Sequence, residues 1–371
     1  MVKEISFEET RELENAVFID VRSEGEYAES HIPGAFNVPI FNNDERAEVG
    51  TVYKQTGREQ ATKLGLEIAS GKLSGLVQEI RNHVSGRQPL VVYCWRGGMR
   101  SKSVATILDL MGLETYRLHR GYRGYREFIT STLANYHLES RCILIHGMTG
   151  TGKSDLLDLL AADGEPVIDL ERMAGHKGSA FGGIGENPNN QRTFDSLLMD
   201  QLNKIAGSKY FFMEAESQRI GRVRIPEVIW SKKFEAVHVL LEASIPTRVK
   251  RLVSQYVIED DDVVAKLKGA YEIIESRLPT EQRKAGWAAL EEHRFEDLAE
   301  MLLIHYYDPR YAHAREQYPG TVTVLSSENL VQCKGKIKQI AREALVEPQT
   351  TDPQTTDPQT LESQESQMQK G

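Results

Sequence analysis

Gly147-Met148-Thr149-Gly150-Thr151-Gly152-Lys153-Ser154 is the stretch around which the sequence is organised, with the spacing G-x-x-x-x-G-K-S. A short apolar run at residues 141–146 precedes it and a helical pattern at 155–160 follows, which predicts a strand, a glycine-rich loop and a helix. The glycines allow backbone N–H groups to converge on an anion at the helix N-terminus. Lys153 adds a positive charge, and the Ser154 hydroxyl can hold a magnesium ion. We therefore predict a phosphate-binding loop over Gly147–Ser154, called the phosphate loop below.

Four further runs of apolar or β-branched residues, at 166–169, 210–214, 236–242 and 321–325, have helical patterns between most of them. This alternation predicts a parallel sheet with helices on both faces. Glu214 and Glu216 alternate at the end of one of these strands and are expected to project to one side. A P-loop protein holds its metal-linked carboxylate at this place. The alternative is a pair of solvated glutamates.

Composition limits the classes of protein that the chain can belong to. Its 371 residues suffice for two domains, and 40% apolar with 27% charged residues is ordinary for a globular protein. We expect no membrane segment and no signal peptide, and three cysteines without metal-site spacing indicate a reducing cytoplasm. The net charge of −9 argues against general nucleic-acid affinity, yet the segment from Arg96 to Arg126 holds seven Lys or Arg and two acids.

The N-terminal half contains a cysteine in a charged, glycine-rich loop. Runs at 16–20, 37–40 and 89–94 predict strands, and the last ends in Cys94-Trp-Arg96-Gly-Gly-Met-Arg100-Ser101 before a helix from Ser103. Arginines and a helix N-terminus lower a thiol pKa from about 8.5 to roughly 3.5–7.5. We therefore predict that Cys94 is reactive and that Arg96 and Arg100 stabilise negative charge on it. The alternative is a buried structural cysteine, which is our interpretation of Cys142 and Cys333.

Arginine alternates with tyrosine and glycine after this helix. Arg117, Arg120, Arg123 and Arg126 suit contacts with phosphates, and the tyrosines between them suit stacking on bases, so the segment is a candidate RNA-binding surface. The alternative is the start of a junction helix whose arginines are solvated or paired with acids.

Other segments complete the predicted organisation. Residues 175–185 are rich in glycine and are expected to form a mobile substrate loop, with an inert surface loop as the alternative. Arg248 and Arg251 are candidate lid arginines. The tail has little apolar surface to bury and is expected to be disordered. We predict domains over residues 1–130 and 131–346, followed by a disordered tail over 347–371.

The first domain resembles the rhodanese (sulfurtransferase) family in its segments Asp20-Val-Arg22-Ser, His31-Ile-Pro-Gly-Ala and Tyr-Cys94-Trp-Arg-Gly-Gly-Met-Arg100-Ser101. The resemblance implies that Asp20, Arg22 and His31 belong to scaffold turns and that Cys94 carries the chalcogen. However, Ser101 stands seven residues after Cys94, where the common single-domain rhodanese loop has six. The spacing Cys94-x5-Arg100 is that of cysteine phosphatases, so a phosphatase remains open for this domain.

A rhodanese-like domain ahead of a P-loop domain, with the cysteine and phosphate motifs, His176-Lys-Gly-Ser-Ala-Phe-Gly182 and Glu214-Ala-Glu-Ser-Gln-Arg-Ile-Gly221, resembles the tRNA 2-selenouridine synthase family. The resemblance implies an α/β fold: a rhodanese-like N-terminal domain and a P-loop NTPase-like domain with a parallel sheet. It assigns Cys94, Arg96 and Arg100 to the selenium step and Gly147, Thr149, Gly150, Thr151, Gly152, Lys153 and Ser154 to diphosphate binding.

The same resemblance implies the reaction. Such enzymes are transferases that replace the sulfur of wobble 2-thiouridine, in the tRNAs for Lys, Glu and Gln, by selenium from selenophosphate. The route passes through S-geranyl-2-thiouridine made from geranyl diphosphate. The implied partners are tRNA and selenophosphate synthase as the selenium supplier, with no tightly bound cofactor and with Mg²⁺ as a candidate ion. Two alternatives stay open: a nucleotide-dependent kinase or cysteine phosphatase, and a P-loop-regulated RNA-binding module.

Overall fold

The chain folds into two compact units in a computed structural model that describes residues 2–177, 181–182, 187–255, 261–311 and 321–345. The first unit reaches Tyr136 and includes Asn190–Met199 from later in the chain. The second holds His137–Asn189 and the chain from Asp200 onward. The predicted tail over 347–371, and residues 178–180 and 183–185 of the predicted substrate loop, lie outside the described residues.

The first unit alternates short strands with helices. Its elements are β1 (Lys3–Ile5), β2 (Val17–Asp20), α1 (Glu24–Glu29), β3 (Phe36–Asn37), α2 (Asn43–Gln55), α3 (Arg58–Ser70), α4 (Leu73–Asn82), β4 (Leu90–Tyr93), α5 (Met99–Leu110), β5 (Thr115–Leu118) and α6 (Gly121–Ala134). Within the described residues they form a parallel five-stranded sheet of order β1-β5-β4-β2-β3. All four residues of β4 are buried, as expected for a central strand of a parallel sheet covered on both faces.

Two element boundaries in this unit differ from the prediction. Strand β3 covers only Phe36–Asn37 rather than residues 37–40, because Pro39 has no N–H for a strand ladder. Helix α5 begins at Met99 with Gly98 as its N-cap, four residues before the predicted start. Arg100 and Ser101 therefore lie in the first turn of the helix rather than in a loop ahead of it. Helix α6 begins at Gly121, so most of the arginine–tyrosine segment is the start of a helix, which was the alternative left open for it.

The second unit is built around another parallel sheet. Its elements, of which α9 begins in the segment that belongs to the first unit, are β6 (Arg141–Gly147), α7 (Lys153–Ala162), β7 (Val167–Ile168), α8 (Leu170–Ala174), α9 (Gln191–Lys204), β8 (Tyr210–Glu214), β9 (Arg219–Ile220), β10 (Val223–Arg224), α10 (Glu227–Trp230), β11 (Val237–Glu242), α11 (Ile245–Gln255), α12 (Asp261–Ile274), α13 (Thr280–Glu291), α14 (Phe295–Leu302), α15 (Asp308–Tyr311), β12 (Val322–Ser326) and α16 (Leu330–Glu343).

The described strands of the main sheet run parallel in the order β12-β11-β6-β8-β7, and β9 and β10 form a separate hairpin. Strand β6 is central and leads into the phosphate loop, while Glu214 at the end of β8 is in register with Ile145 of β6. Parallel strands place their carboxyl ends at one edge of the sheet, where ligands bind in such folds. The predicted α/β class with parallel sheets is confirmed.

Two apolar cores support this unit. One packs the sheet residues of β6, β8 and β11 against α7 and α16, and it contains Ile145, Leu157 and Ile337. The other lies among α11, α12, α13 and α14, with Tyr271 and Leu290 fully buried in it. None of the helices within the described ranges is long and apolar enough to cross a membrane.

Candidate functional site

The phosphate loop has the backbone geometry that its glycines predict. Gly150 and Gly152 adopt φ values of +80° and +87°, a region that favours glycine. A Cβ on Gly147 would approach the Thr151 hydroxyl to 2.4 Å, so the start of the loop also requires glycine. Lys153 is the first residue of α7, and its Nζ donates to the carbonyl oxygen of Gly147 at 3.0 Å. The loop and the helix N-terminus thus form a closed turn at the carboxyl end of β6.

Carboxylates surround this turn. The Ser154 hydroxyl donates to Oε2 of Glu171 at 3.2 Å, and the Glu171 N–H donates to Oε1 of Glu214 at 2.8 Å. Burial raises the pKa of Glu171, against the opposing effect of Lys153. Burial, reinforced by Asp169 and Glu171, raises the pKa of Glu214 well above its usual range. Burial together with Glu171 raises the pKa of Glu216 to about 8, although Lys153 and Lys233 oppose this shift.

The sequence interpretation singled out Glu214 and Glu216 but missed Glu171, which contacts the phosphate loop directly. Glu171 lies in α8, next to the end of β7, the strand that pairs with β8. Since parallel strands end at the same edge, the predicted strand at 166–169 was the signal that could have found it. No group of three His, Cys, Asp or Glu side chains in the described ranges is placed to hold a metal ion.

Arg248 and Arg251, the candidate lid arginines, contact the backbone of the phosphate loop. Nε of Arg248 donates to the carbonyl oxygen of Thr149 at 2.8 Å, and Nη1 of Arg251 donates to that of Thr151 at 2.9 Å. Arg248 is buried and forms a bidentate ion pair with Asp308 at 2.6 and 2.9 Å. Both arginines therefore stabilise the conformation of the phosphate loop by hydrogen bonds to its carbonyl groups.

Cys94 follows the last residue of β4, as predicted, but its side chain is only 3% exposed. Its Sγ lies 3.3 Å from the Ser101 hydroxyl, which donates to the carbonyl oxygen of Gly98 at 3.3 Å. The Tyr122 N–H donates to the carbonyl oxygen of Cys94 at 2.9 Å. The residues Cys94–Ser101, called the cysteine loop below, therefore enclose the thiol.

The two arginines of the cysteine loop have different surroundings. Arg96 is exposed. Arg100 is partly buried, and its Nη1 donates to Oε2 of Glu26 at 2.6 Å. Burial disfavours the charge on both members of this pair, but their mutual hydrogen bonds outweigh burial, so the pKa of Arg100 is raised and that of Glu26 is lowered. The neighbouring Cys94 also favours the charged form of Arg100.

Asp20 and Arg22 form a buried support beneath the cysteine loop. Both are fully buried and are joined by an ion pair of 2.6 Å. Arg22 also donates to the carbonyl oxygen of Ser30 at 2.7 Å, and its guanidinium lies 4.3 Å from the centre of the Tyr122 ring. His31 stacks on Tyr27 with ring centres 3.9 Å apart. Arg22 and His31 thus lie in the supporting turns that the rhodanese resemblance implied, whereas Asp20 supports them from the last position of strand β2.

The four arginines proposed for RNA contact are each paired with an acid. Arg117 contacts Glu4 at 2.9 Å, and Arg126 contacts Asp195 at 2.7 Å with only 14% of its side chain exposed. Arg120 and Arg123 share Glu127 at 2.5 and 3.2 Å and remain about half exposed. Their exposure leaves Arg120 and Arg123 as the two members that RNA phosphates can reach.

The aromatic part of the RNA hypothesis is wrong for the two tyrosines of helix α6 in this segment. Tyr122 and Tyr125 are 0% and 2% exposed, so neither offers a ring face to a base. A partly exposed aromatic contact lies outside the segment, where the Arg192 guanidinium is 5.4 Å from the centre of the Trp95 ring. Trp95 belongs to the cysteine loop, and Arg192 comes from the Asn190–Met199 segment, which no local sequence pattern connects with it.

The two remaining cysteines are packing residues, as interpreted from the sequence. Cys142 lies within β6 and Cys333 within α16, and both are buried and free. Burial raises the pKa of each thiol, which disfavours the reactive thiolate.

The folds and motifs of the two units together define a class of protein. Its members combine a rhodanese-like domain that carries a cysteine loop with a P-loop domain on the same chain. Residues 6–128 match the rhodanese-like domain family. Residues 140–278 match the tRNA 2-selenouridine synthase AAA domain.

Full-length relatives extend these matches across both units. The chain is 31% identical over 352 residues to the tRNA 2-selenouridine synthase of Bdellovibrio bacteriovorus, covering 83% of this chain and 91% of that protein. It is 33% identical over 339 residues to that of Bordetella bronchiseptica, covering 82% and 89%. A third match, to the Nitrosomonas europaea protein of the same name, is 33% identical over 244 residues and spans 65% of this chain and 63% of that protein. The chain belongs to the tRNA 2-selenouridine synthase family.

Proposed function

We propose that this protein replaces the sulfur of 2-thiouridine at the wobble position of tRNA by selenium, in the cytoplasm. The observation that carries the proposal is the presence of two chemical sites on one chain of this family. The first unit encloses Cys94 in a loop of charged and glycine residues, and the second presents a phosphate loop built on Lys153 and Ser154. The proposed tRNA substrates are the Lys, Glu and Gln isoacceptors that carry 2-thiouridine.

The phosphate loop is assigned to S-geranylation, which turns the sulfur into part of a better leaving group. The thiocarbonyl sulfur attacks C1 of geranyl diphosphate, the C–O bond to the diphosphate breaks, and N3 of the base loses its proton. Negative charge grows on the departing diphosphate. The backbone N–H groups of Gly147–Ser154 and the Lys153 ammonium stabilise that charge most as the bond breaks, which lowers the barrier.

Ser154 and Glu171 supply oxygen donors of the kind that magnesium prefers, and a diphosphate would supply further ones, so these residues fit a Mg²⁺ ion shared with the substrate. Such an ion would add positive charge beside the diphosphate. We propose no other cofactor.

The cysteine loop is assigned to the selenium step. A selenium nucleophile at the oxidation level of selenide, derived from selenophosphate, adds to C2 of the S-geranylated base, and geranylthiol leaves. This displacement needs no net oxidant or reductant. Cys94 is proposed to hold, without an S–Se bond, the selenide that hydrolysis of selenophosphate releases together with phosphate, and Arg96 and Arg100 supply positive charge beside it. Selenophosphate synthase is the proposed supplier of selenophosphate.

Substitutions at the two sites should separate the two steps. Cys94→Ser should still form S-geranyl-2-thiouridine from thiolated tRNA and geranyl diphosphate but should make no selenouridine. Lys153→Ala should slow geranylation by roughly 10–150-fold, because a charge-assisted contact contributes about 1.5–3 kcal/mol. Given tRNA that is already geranylated, Lys153→Ala should still add selenium.

Nucleoside mass spectrometry of the same tRNA measures both products. Cys142→Ser, at a buried packing thiol, is the matched control and should leave both steps in place. If Cys94→Ser lost geranylation while it still bound tRNA and geranyl diphosphate normally, the division between two sites would be wrong. If wild-type protein with selenophosphate and geranyl diphosphate produced no selenouridine, the proposed function itself would be wrong.

A further inference from the structure

A partly open cavity lies beside the phosphate loop, entirely within the second unit, and its empty space is about 560 Å³ when the open solvent at its mouth is included. Its lining comes from α11, α12, α14, the π-helical turn Leu303–Tyr307 after α14, one residue of the phosphate loop, and Phe181 from the chain between α8 and α9. The lining residues are Thr149, Phe181, Leu252, Val253, Leu267, Phe295, Leu298, Ala299, Leu302 and Tyr307.

One end of the cavity is fixed against the phosphate loop. Thr149 belongs to both, and its carbonyl oxygen accepts from the buried Arg248 at 2.8 Å. Arg248 in turn holds Asp308, which directly follows the lining residue Tyr307. On the same side of the loop as Arg248, a Cβ on Gly150 would lie 3.2 Å from Cγ of Leu252, so this lining leucine packs against the loop backbone. A ligand with its anionic group in the loop can therefore extend directly into the cavity.

The mostly apolar side chains that line the cavity determine which part of a ligand can bind there. Thr149 and Tyr307 are the lining residues with side-chain hydroxyl groups, and the other eight are aliphatic or aromatic, with no charged side chain among the lining residues. A nucleobase or ribose would leave its hydrogen-bonding groups unpaired against such walls, which is costly. A hydrocarbon chain gains free energy from every methylene that it transfers out of water.

We propose that this cavity binds the hydrocarbon chain of a prenyl diphosphate whose diphosphate lies in the phosphate loop, and that the size of the cavity selects the chain length. The inference rests on the proposed function, because it names the residues that hold the alkyl donor. Phe295, Leu298 and Ala299 all lie on α14, so this helix forms one wall along the chain.

Chain length should then determine affinity. Geranyl diphosphate carries five more carbons than dimethylallyl diphosphate, and we expect it to bind about 10²–10³-fold more tightly if the extra carbons are buried. Inorganic pyrophosphate, which lacks the chain, should bind more weakly than either. ATP should not compete effectively, because its nucleoside does not match the lining.

Filling the cavity should abolish the tighter binding of geranyl diphosphate over pyrophosphate while the phosphate loop still binds the anion. Ala299→Phe places a ring inside the cavity, and we expect geranyl diphosphate to lose at least about 100-fold in affinity while pyrophosphate binding stays within twofold. Ala285→Phe is the matched control: the same change at an exposed position of α13 should leave both affinities unchanged. Calorimetric titration of the full chain with each diphosphate measures these constants.

Enlarging the cavity provides an independent variant with the opposite effect. Phe295 is only partly buried, so Phe295→Ala removes a wall while the core around Tyr271 is retained. It should bind farnesyl diphosphate more tightly relative to geranyl diphosphate, by roughly 10-fold or more. An unchanged ratio in Phe295→Ala, or an unchanged affinity for geranyl diphosphate in correctly folded Ala299→Phe, would overturn the inference.

Activity assays of the same proteins on thiolated tRNA distinguish a wrong cavity assignment from a wrong proposed function. If wild-type protein made selenouridine but Ala299→Phe bound geranyl diphosphate normally, the cavity assignment would be wrong and the proposed function would stand. If chain-length selectivity followed the cavity as expected but wild-type protein made no selenouridine, the proposed function would be wrong and the prenyl site would stand. Equal wild-type affinities for pyrophosphate and geranyl diphosphate would also overturn the inference.

Discussion

Glu26 holds Arg100 through two hydrogen bonds, of 2.6 Å to Nη1 and 3.3 Å to Nη2. Arg100 lies in the first turn of α5, six residues after Cys94, at the position that would bind phosphate in a cysteine phosphatase. Because the guanidinium is already bound to a carboxylate of the same unit, its ability to bind a phosphate ester is reduced. The pair positions Arg100 beside the thiol without leaving its charge unbalanced.

Removing the charge of Glu26 should destabilise the first unit in a pH-dependent way. Glu26→Gln is expected to cost about 1–3 kcal/mol in the free energy of unfolding at pH 7, because partly buried Arg100 loses its anionic partner. The folded pKa of Glu26 is lowered, so the stabilisation is present above its unfolded value of about 4.3 and disappears as the pH falls through the folded pKa. Urea unfolding of wild type and Glu26→Gln from pH 7 to pH 3 measures the difference. Glu24→Gln, an exposed position on the same helix, should show no such trend.

Glu216 should make diphosphate binding depend on pH near 8. Its pKa is raised to about 8 by burial and by Glu171, with Lys153 close enough to oppose the shift. Below that pH the carboxyl is neutral, and above it a negative charge faces the anion site. The affinity for pyrophosphate, measured without added metal, should therefore fall in wild type relative to Glu216→Gln as the pH rises from 7 to 9, and the variant corrects for the titration of pyrophosphate itself. A ratio of the two affinities that stays constant or rises in favour of wild type would contradict the assignment.

The exposed arginines Arg120 and Arg123 should account for a measurable part of tRNA affinity. Each phosphate contact changes the slope of log K against log salt by about 0.7–0.9, so replacing both by Ala should flatten the slope by about 1.4–1.8. Filter binding of tRNA at several salt concentrations gives the slope. Replacing two other exposed arginines, Arg58 and Arg87, provides the control and should leave it unchanged. An unaltered slope in the Arg120 and Arg123 variant would place the tRNA contacts elsewhere.

Gly121 should be essential for the shape of the cysteine loop. It has φ +56°, and a Cβ there would lie 2.1 Å from the carbonyl oxygen of Cys94. We expect Gly121→Ala to cost about 2–5 kcal/mol from backbone strain and overlap, and to reduce selenation more than geranylation. Gly112, with φ +80° and nothing within 4 Å of a Cβ, is the matched control. Gly112→Ala should cost only about 1–2 kcal/mol. Thermal unfolding measures both variants. If Gly121→Ala and Gly112→Ala lost the same stability, the overlap with the Cys94 carbonyl would be relieved by a shift of the backbone.

Short-range features of the site were predictable from the sequence. The phosphate loop and the loop after Cys94 are each defined within eight consecutive residues, and glycine spacing and flanking apolar runs determine their place at strand ends. Even there, the start of α5 was placed four residues late, because Gly98 acts as N-cap without a capping side chain. The helix therefore reaches back to include Arg100 and Ser101.

Partners from distant parts of the chain were not predictable. The contact of Ser154 with Glu171, and that of Arg126 with Asp195, depend on how strands and helices pack, which no local spacing encodes. The alternation of arginine and tyrosine predicted that the tyrosines stack on RNA bases. This prediction was wrong because Tyr122 is buried in the core of its unit. Residue type indicates what a side chain can bind, whereas burial decides whether it is available.

The first unit includes the segment Asn190–Met199, which is synthesised after the start of the second unit. Tyr136 leaves the ribosome well before this segment does, yet Asp195 is the partner of partly buried Arg126, and Arg192 covers Trp95. A nascent chain that ends before residue 190 has all the strands of the first sheet but lacks these contacts. These contacts of the N-terminal unit therefore form only after part of the following unit has been synthesised.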